Sequence, residues 1–212
     1  MNETTKVENY DDLCIMVDDA TSYSKADLRA IMLSRRQFLS EHVRAEMDCC
    51  IADYLLTVQE VITAQHLHSY LPIASLAEVN TVPALERFVA IGKQLSVPVV
   101  QHGDLLSVVY HPGEELHTAK FGQPEPKRHL PADESTLDVV LVPLLAFDRQ
   151  GYRLGYGKGM YDRFLQRLAS QGNRPFRLGV SYLQQQLGEL PVDVWDEPLD
   201  AIVHEKGFIR YT

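Results

Sequence analysis

Apolar residues fall into a helical rhythm from residue 24 onward. Leu28, Ile31, Met32, Arg35 and Leu39 share one face, which predicts a helix of about four turns. Ser24-Lys25-Ala26-Asp27 before it resembles a capping box, with hydroxyl and acid serving orphan N–H groups. Ser40 starts a second helix, with Val43, Met47, Ile51, Tyr54, Leu55 and Val58 as its face. Residues 66–71 alternate into a short strand that Pro72 ends, and 73–80 read as a loop. Thr81 caps a further helix, with Pro83 in its first turn and Leu85, Phe88, Val89 and Leu95 as its stripe. Residues 97–101 and 105–110 read as strands. Residues 111–134 carry four prolines, two glycines and many charges without periodicity, the pattern of a long functional surface loop.

The run at 137–142 is almost unbroken in apolar residues, as in a central parallel strand covered on both faces. Tyr161, Phe164, Leu165 and Leu168 make the buried stripe of a later helix, leaving Asp162 and Arg163 off it. Residues 178–183, 201–204 and 208–211 complete the strands. Strands and helices alternate, so the class is α/β with a largely parallel sheet and helices on both faces. Ligands bind such sheets at the carboxyl ends of strands, which is where the loop after Val142 lies.

Residues 1–22 are acidic, with Glu3, Glu8, Asp11, Asp12, Asp18 and Asp19 against Lys6 alone, and are expected to form a loose extension. Residues 23–212 are expected to form a single domain. The net charge of −9 excludes a general nucleic-acid binder. An anionic small molecule stays possible, since its site needs only a local cluster of cations. Cys14, Cys49 and Cys50 have no zinc-ligand spacing and suit reduced thiols in the cytoplasm. Neither a membrane-spanning run nor a signal peptide is indicated.

The chemistry concentrates in Arg153-Leu154-Gly155-Tyr156-Gly157-Lys158-Gly159-Met160-Tyr161-Asp162-Arg163. Glycines at alternate positions permit positive φ and close approach, and a helix follows. Such a loop is a phosphate cradle, with free N–H groups and the helix dipole aimed at the anion. Asp162 could then hold a divalent cation against the phosphate. On local pattern alone a flexible turn with an ordinary first-turn acid fits equally well. The loop is not a P-loop, and G-x-G-x-G departs from the dinucleotide fingerprint. His66 and His68 on one strand face, and His111 and His117 in the long loop, read as surface histidines. Lys25 and Arg29 share a helix face that reads as a solvated basic edge. Asp193, Asp196, Glu197 and Asp200 read as a solvated acidic loop, from which one carboxylate could join Asp162 on magnesium.

With the flank from Val142 to Asp148, this segment resembles the signature of 5-formyltetrahydrofolate cyclo-ligases, also called 5,10-methenyltetrahydrofolate synthetases. The resemblance extends over residues 24–205 and includes Lys25 to Arg29, Tyr70-Leu71-Pro72, Glu78-Val79-Asn80-Thr81, Gly122, Glu125-Pro126, Asp196 and Asp200. It implies a three-layer Rossmann-type architecture of the NagB/RpiA/CoA-transferase kind. It also implies magnesium- and ATP-dependent closure of 5-formyltetrahydrofolate to the 5,10-methenyl compound by a monomer or weak homo-oligomer, with reduced folate and ATP as its small-molecule partners. Lys25 and Arg29 would then meet ATP phosphates. Arg153, Leu154, Gly155, Tyr156, Gly157, Lys158, Gly159, Met160 and Tyr161 would wrap the nucleotide, with Lys158 and Arg153 as catalytic cations. Ile73, Asn80, Phe121 and the stretch from Tyr156 to Met160 would border the folate, and Asp162 and Asp196 would hold magnesium. Asn80 stands where the family usually has an acid, Met160 replaces a frequent aromatic, and residues 74–77 lengthen the preceding loop. Asn80 therefore leaves room for two other readings: a nucleotide-binding protein without folate chemistry, or an ATP-using relative with another substrate.

Overall fold

The computed structural model describes residues 20–211. In chain order the elements are α1 (Lys25–Phe38), α2 (Glu41–Leu55), α3 (Gln59–Thr63), β1 (His66–His68), α4 (Val82–Ala90), β2 (Gln94–Gln101), β3 (Asp104–Val109), β4 (Leu116–Thr118), β5 (Pro124–Pro126), β6 (Val139–Pro143), β7 (Ala146–Phe147), β8 (Arg153–Leu154), α5 (Met160–Ser170), β9 (Phe176–Val180), β10 (Ala201–His204) and β11 (Gly207–Arg210). The main sheet runs β11-β10-β9-β6-β1-β2-β3. Its inner strands are parallel, and hairpins add antiparallel β11 and β3 at the edges.

Side chains alternate across a strand, so the apolar run of β6 serves two layers. Val139 and Leu141 join Ile51 and Leu55 of α2 and Phe88 of α4, while Val140 and Val142 join Phe164, Leu165 and Leu168 of α5. Helices therefore cover both faces, as expected. In a third cluster, Leu28 and Met32 of α1 pack on Leu145, Ala146 and Leu154 around the β7–β8 hairpin. That packing sets the polar side of α1 beside the glycine loop. Ser24 and Ser40 cap α1 and α2 through their hydroxyls.

Several local expectations are corrected. Residues 111–134 are not irregular throughout, because β4 and β5 pair as a ribbon inside them. Pro124 and Pro126 hide that strand from a pattern search, and buried Glu125 ties it to β2 by accepting from the Val100 N–H. His66 and His68 are buried, not on the surface. β1 lies inside the sheet, where hydroxyls of Thr136, Ser96 and Ser107 meet the imidazoles. Thr81 stands at the N-cap of α4, but its side chain makes no capping hydrogen bond. Its hydroxyl donates to the Tyr70 carbonyl, and Asn80 Oδ1 accepts from the Val82 N–H instead. Ala20 is fully buried against the α1 cluster, while the extension expected over 1–22 otherwise falls almost wholly outside the described residues. No helix among the described residues is long and apolar enough to cross a membrane.

Candidate active site

A cavity of about 490 Å³ opens at the carboxyl ends of β1, β2 and β6, where Tyr70, Leu71, Val100 and Pro143 contribute to its wall. The β7–β8 hairpin delivers the chain to its rim, and the glycine loop joins β8 to α5. Gly157 has φ +84° and Gly159 φ +60°. A Cβ on Gly157 would sit 3.1 Å from Arg29 Cζ, so that position is restricted by backbone and by space. Gly155 meets neither restriction. Gly159 caps α5 without any side-chain hydrogen bond, and the first-turn N–H groups are left for an anion.

Cations gather around this loop on a chain of net charge −9. Arg29 Nε donates to the Gly155 carbonyl at 2.9 Å. Lys25 Nζ bridges Asp193 and Asp196 at 2.6 and 2.7 Å. Partial burial lowers its pKa, but the hydrogen bonds and charges of both aspartates outweigh that and raise it. The basic edge expected on α1 is thus turned into the cavity rather than to solvent. Arg153 donates from Nη2 to Asp162 Oδ1 at 2.6 Å and from Nη1 to the Glu197 carbonyl. Burial, joined by the charge of Arg177, lowers its pKa despite the opposing charges of Asp162, Asp196 and Glu197. Lys158 Nζ sits 2.8 Å from the centre of the Phe121 ring. Desolvation, followed by the charge of Lys120, lowers its pKa.

The carboxylates are ordered rather than simply solvated. Glu197 and Asp200 both pair with Arg177, and Asp200 is not part of the cavity wall. Asp162 and Asp196 do line it. Their partners bind Asp162 through Oδ1 and Asp196 through Oδ2, which leaves the other oxygen of each for a ligand. Among the described residues no group of three or more His, Cys, Asp or Glu is arranged to hold a metal. Two carboxylates lining one cavity are of the type and number that magnesium takes from a protein.

Beside the glycine loop the cavity carries a buried acid. Glu78, 8% exposed, lines the cavity. Its Oε1 accepts from the Tyr156 hydroxyl at 2.5 Å, and its Oε2 accepts from the Ile73 N–H at 2.7 Å. Desolvation raises its pKa against these hydrogen bonds and the charge of Arg36. Pro98, Val100, Leu105, Phe121 and Met160 form an apolar side. The Tyr161 hydroxyl is buried with no protein partner, and the residue lines the cavity.

Residues 21–205 match the model of the 5-formyltetrahydrofolate cyclo-ligase family. The chain belongs to that family. The 5-formyltetrahydrofolate cyclo-ligase of Escherichia coli K12 is 36% identical over 176 residues, covering 80% of this chain and 93% of that protein. The probable 5-formyltetrahydrofolate cyclo-ligase of Schizosaccharomyces pombe is 28% identical over 202 residues, 89% of this chain and 98% of its own. The NMR structure of Aquifex aeolicus 5,10-methenyltetrahydrofolate synthetase superposes with a TM-score of 0.76 at 33% identity, covering 88% of this chain and 92% of the other.

Of the positions this cyclo-ligase family suggested from sequence, Lys25, Arg29, Ile73, Phe121, Asp196 and the whole stretch from Arg153 to Asp162 border one cavity. Asn80 is the exception and needs correction. It is exposed, and its side chain is spent on the α4 cap. Glu78, two residues earlier, reaches the cavity instead. The 3-10 turn at Ala74–Leu76 ends in Ala77 at φ +51°, a left-handed residue that redirects the chain and inserts Glu78. Arg163 also stays out of the cavity, paired with Asp104 and with the Gly103 and Lys158 carbonyls.

Proposed function

We propose that the protein is a 5-formyltetrahydrofolate cyclo-ligase that couples ring closure to hydrolysis of ATP to ADP and phosphate. One observation carries the reading: the glycine loop, four cations and the buried acid Glu78 all face one cavity in a chain of this family. A formamide oxygen is a poor leaving group. Transfer of the γ-phosphoryl group to it makes a phosphate ester, N10 then attacks the formyl carbon, and phosphate departs with the C–O electron pair. N10 loses its proton, leaving the 5,10-methenyl cation.

Each part of the wall has a task. The open N-terminus of α5 and the Arg29 Nη groups would bind the polyphosphate. Lys25 holds Asp193 and Asp196 and keeps one N–H for a phosphate oxygen. Lys158 would leave Phe121 to neutralise charge on the moving phosphoryl group. Arg153, with both terminal nitrogens engaged, would orient Asp162. Asp162 and Asp196 would hold Mg²⁺, which supplies charge neutralisation at the phosphates. The apolar side would receive the pterin and benzoyl rings, and Glu78 would accept hydrogen bonds from the amino-pyrimidinone edge, the task first expected of position 80.

Mixing purified protein with 5-formyltetrahydrofolate and Mg-ATP should generate the near-ultraviolet absorbance of the methenyl product with stoichiometric ADP. ATP hydrolysis without that absorbance, at high enzyme concentration, would overturn the reading and point to another substrate.

A further inference from the structure

Arg36 of α1 is 2% exposed. Its Nε donates to the Leu76 carbonyl at 2.9 Å, its Nη1 to the Leu144 carbonyl at 3.0 Å, and its Nη2 to the Tyr156 hydroxyl oxygen at 2.6 Å. No carboxylate among the described residues pairs with it directly. A buried guanidinium without a counter-ion is costly, and the nearest balancing charge lies one hydroxyl away. Tyr156 accepts from Arg36 and passes its own proton towards Glu78 Oε1 at 2.5 Å. Each bond polarises the other. The other titratable groups near enough to feel the Glu78 charge are Tyr70, whose hydroxyl donates to the Val79 carbonyl, and Tyr161. Burial raises the pKa of all three tyrosines, so Arg36 is the cation in this set.

Three segments meet on this side chain. Leu76 belongs to the turn that inserts Glu78, Leu144 follows β6, and Tyr156 lies inside the glycine loop. We propose that Arg36, acting through the Tyr156 hydroxyl, is the positioning residue that keeps Glu78 a carboxylate aimed into the cavity. The relay would make the acid on the folate side depend on the seating of the phosphate loop. This rests on the cyclo-ligase reading for what Glu78 recognises, but not for the relay itself.

A carbon-13 NMR titration of labelled glutamate carboxyls tests the relay without any substrate, with Glu78 assigned by the signal that disappears in Glu78→Gln. In Tyr156→Phe and in Arg36→Met the Glu78 midpoint should rise by about one pH unit, because a hydrogen bond or a cation favouring the ionised form is gone. The acid limb of the pH profile of kcat/KM for the folate should move upward by the same amount. A purely structural role would lower stability or rate without moving either midpoint. Arg36→Met removes three hydrogen bonds and risks the fold. Tyr156→Phe keeps the ring and both carbonyl bonds of Arg36, so an unmoved Glu78 midpoint in Tyr156→Phe overturns the proposal. Absence of methenyl formation by the wild-type protein would instead overturn the cyclo-ligase reading, while the titration still decides the relay.

Discussion

Arg153 holds Asp162 by a 2.6 Å ion pair in which the guanidinium side chain is only 5% exposed and the carboxylate 23%. The pair fixes one aspartate oxygen and presents the other to the cavity. Asp162→Asn keeps an acceptor for Arg153 but removes the charge a divalent cation needs. Turnover with Mg-ATP should fall by about 100-fold or more, with an unchanged circular dichroism spectrum, because Asp162 lies outside the α5 core stripe. Normal turnover at low magnesium would remove Asp162 from the site.

Lys158 rests on the Phe121 ring between two glycines of positive φ, so it can swing without strain in its neighbours. A cation that meets charge only in the transition state affects the chemical step. Lys158→Ala should lower kcat by about 10²–10³ with little change in the KM for ATP. The reverse pattern in steady-state kinetics, a raised KM at unchanged kcat, would mean that Lys158 only binds.

Stability should carry a signature of the buried histidine. Burial, joined by the charges of His66 and Arg167, pushes the His68 imidazole down to about 3. The unfolded chain takes up this proton near pH 6.5. Between those values the unfolded state binds more protons, so the folded state loses stability as pH falls. Asp48 works in the opposite sense. Burial raises its carboxyl to about 6, against a hydrogen bond from Tyr182. The folded state therefore gains stability as pH falls from about 6 towards 4. Thermal melts from pH 7 to 4 should show a shallower acid loss in His68→Asn and a steeper one in Asp48→Asn than in the parent. Identical slopes in all three proteins would contradict this account.

What could be read in advance depended on whether a feature is local. The hydroxyl caps at Ser24 and Ser40, the two-faced strand β6 and the stripe of α5 are written in nearest-neighbour patterns and formed as expected, although the Asp27 carboxylate accepts from the Ser24 hydroxyl rather than from an orphan N–H. The glycine loop was visible because its backbone needs show in residue type. Placement across the sheet was not legible. His66 and His68 look like surface residues until Ser96, Ser107 and Thr136 arrive from 28 to 70 positions away. Arg36 sits among the basic residues of α1, and only the Leu144 carbonyl and the Tyr156 hydroxyl, 108 and 120 residues distant, mark it as buried.

Gly179 of β9 tests the packing between the sheet and the α5 layer. A Cβ there would lie 2.6 Å from Leu199 Cδ1 and 3.0 Å from Leu144 Cδ2, and would also strike Ile202 Cδ1. The backbone is ordinary extended strand, so the penalty is one of space alone. Gly179→Ala should cost about 1–3 kcal/mol, a fall in Tm of roughly 3–10 °C. An unchanged melting temperature would show that the leucine and isoleucine side chains repack freely.

Glu78 and Asn80 lie two residues apart and do different work. Spacing could not say which of them faces the cavity, because Ala77 at φ +51° breaks the simple alternation of the segment. The Asn80 amide oxygen caps α4 and its residue is exposed, whereas Glu78 is buried against Tyr156 and Ile73. Replacing the Glu78 carboxylate by an amide turns one acceptor into a donor that faces donors. A hydrogen bond to a charged group contributes about 1.5–3 kcal/mol, so Glu78→Gln should raise the folate KM by roughly 10- to 150-fold and leave the KM for ATP nearly unchanged. Asn80→Asp should change neither constant, since aspartate also caps a helix. If the two variants behaved the other way round, recognition of the folate would lie with the residue the sequence first suggested.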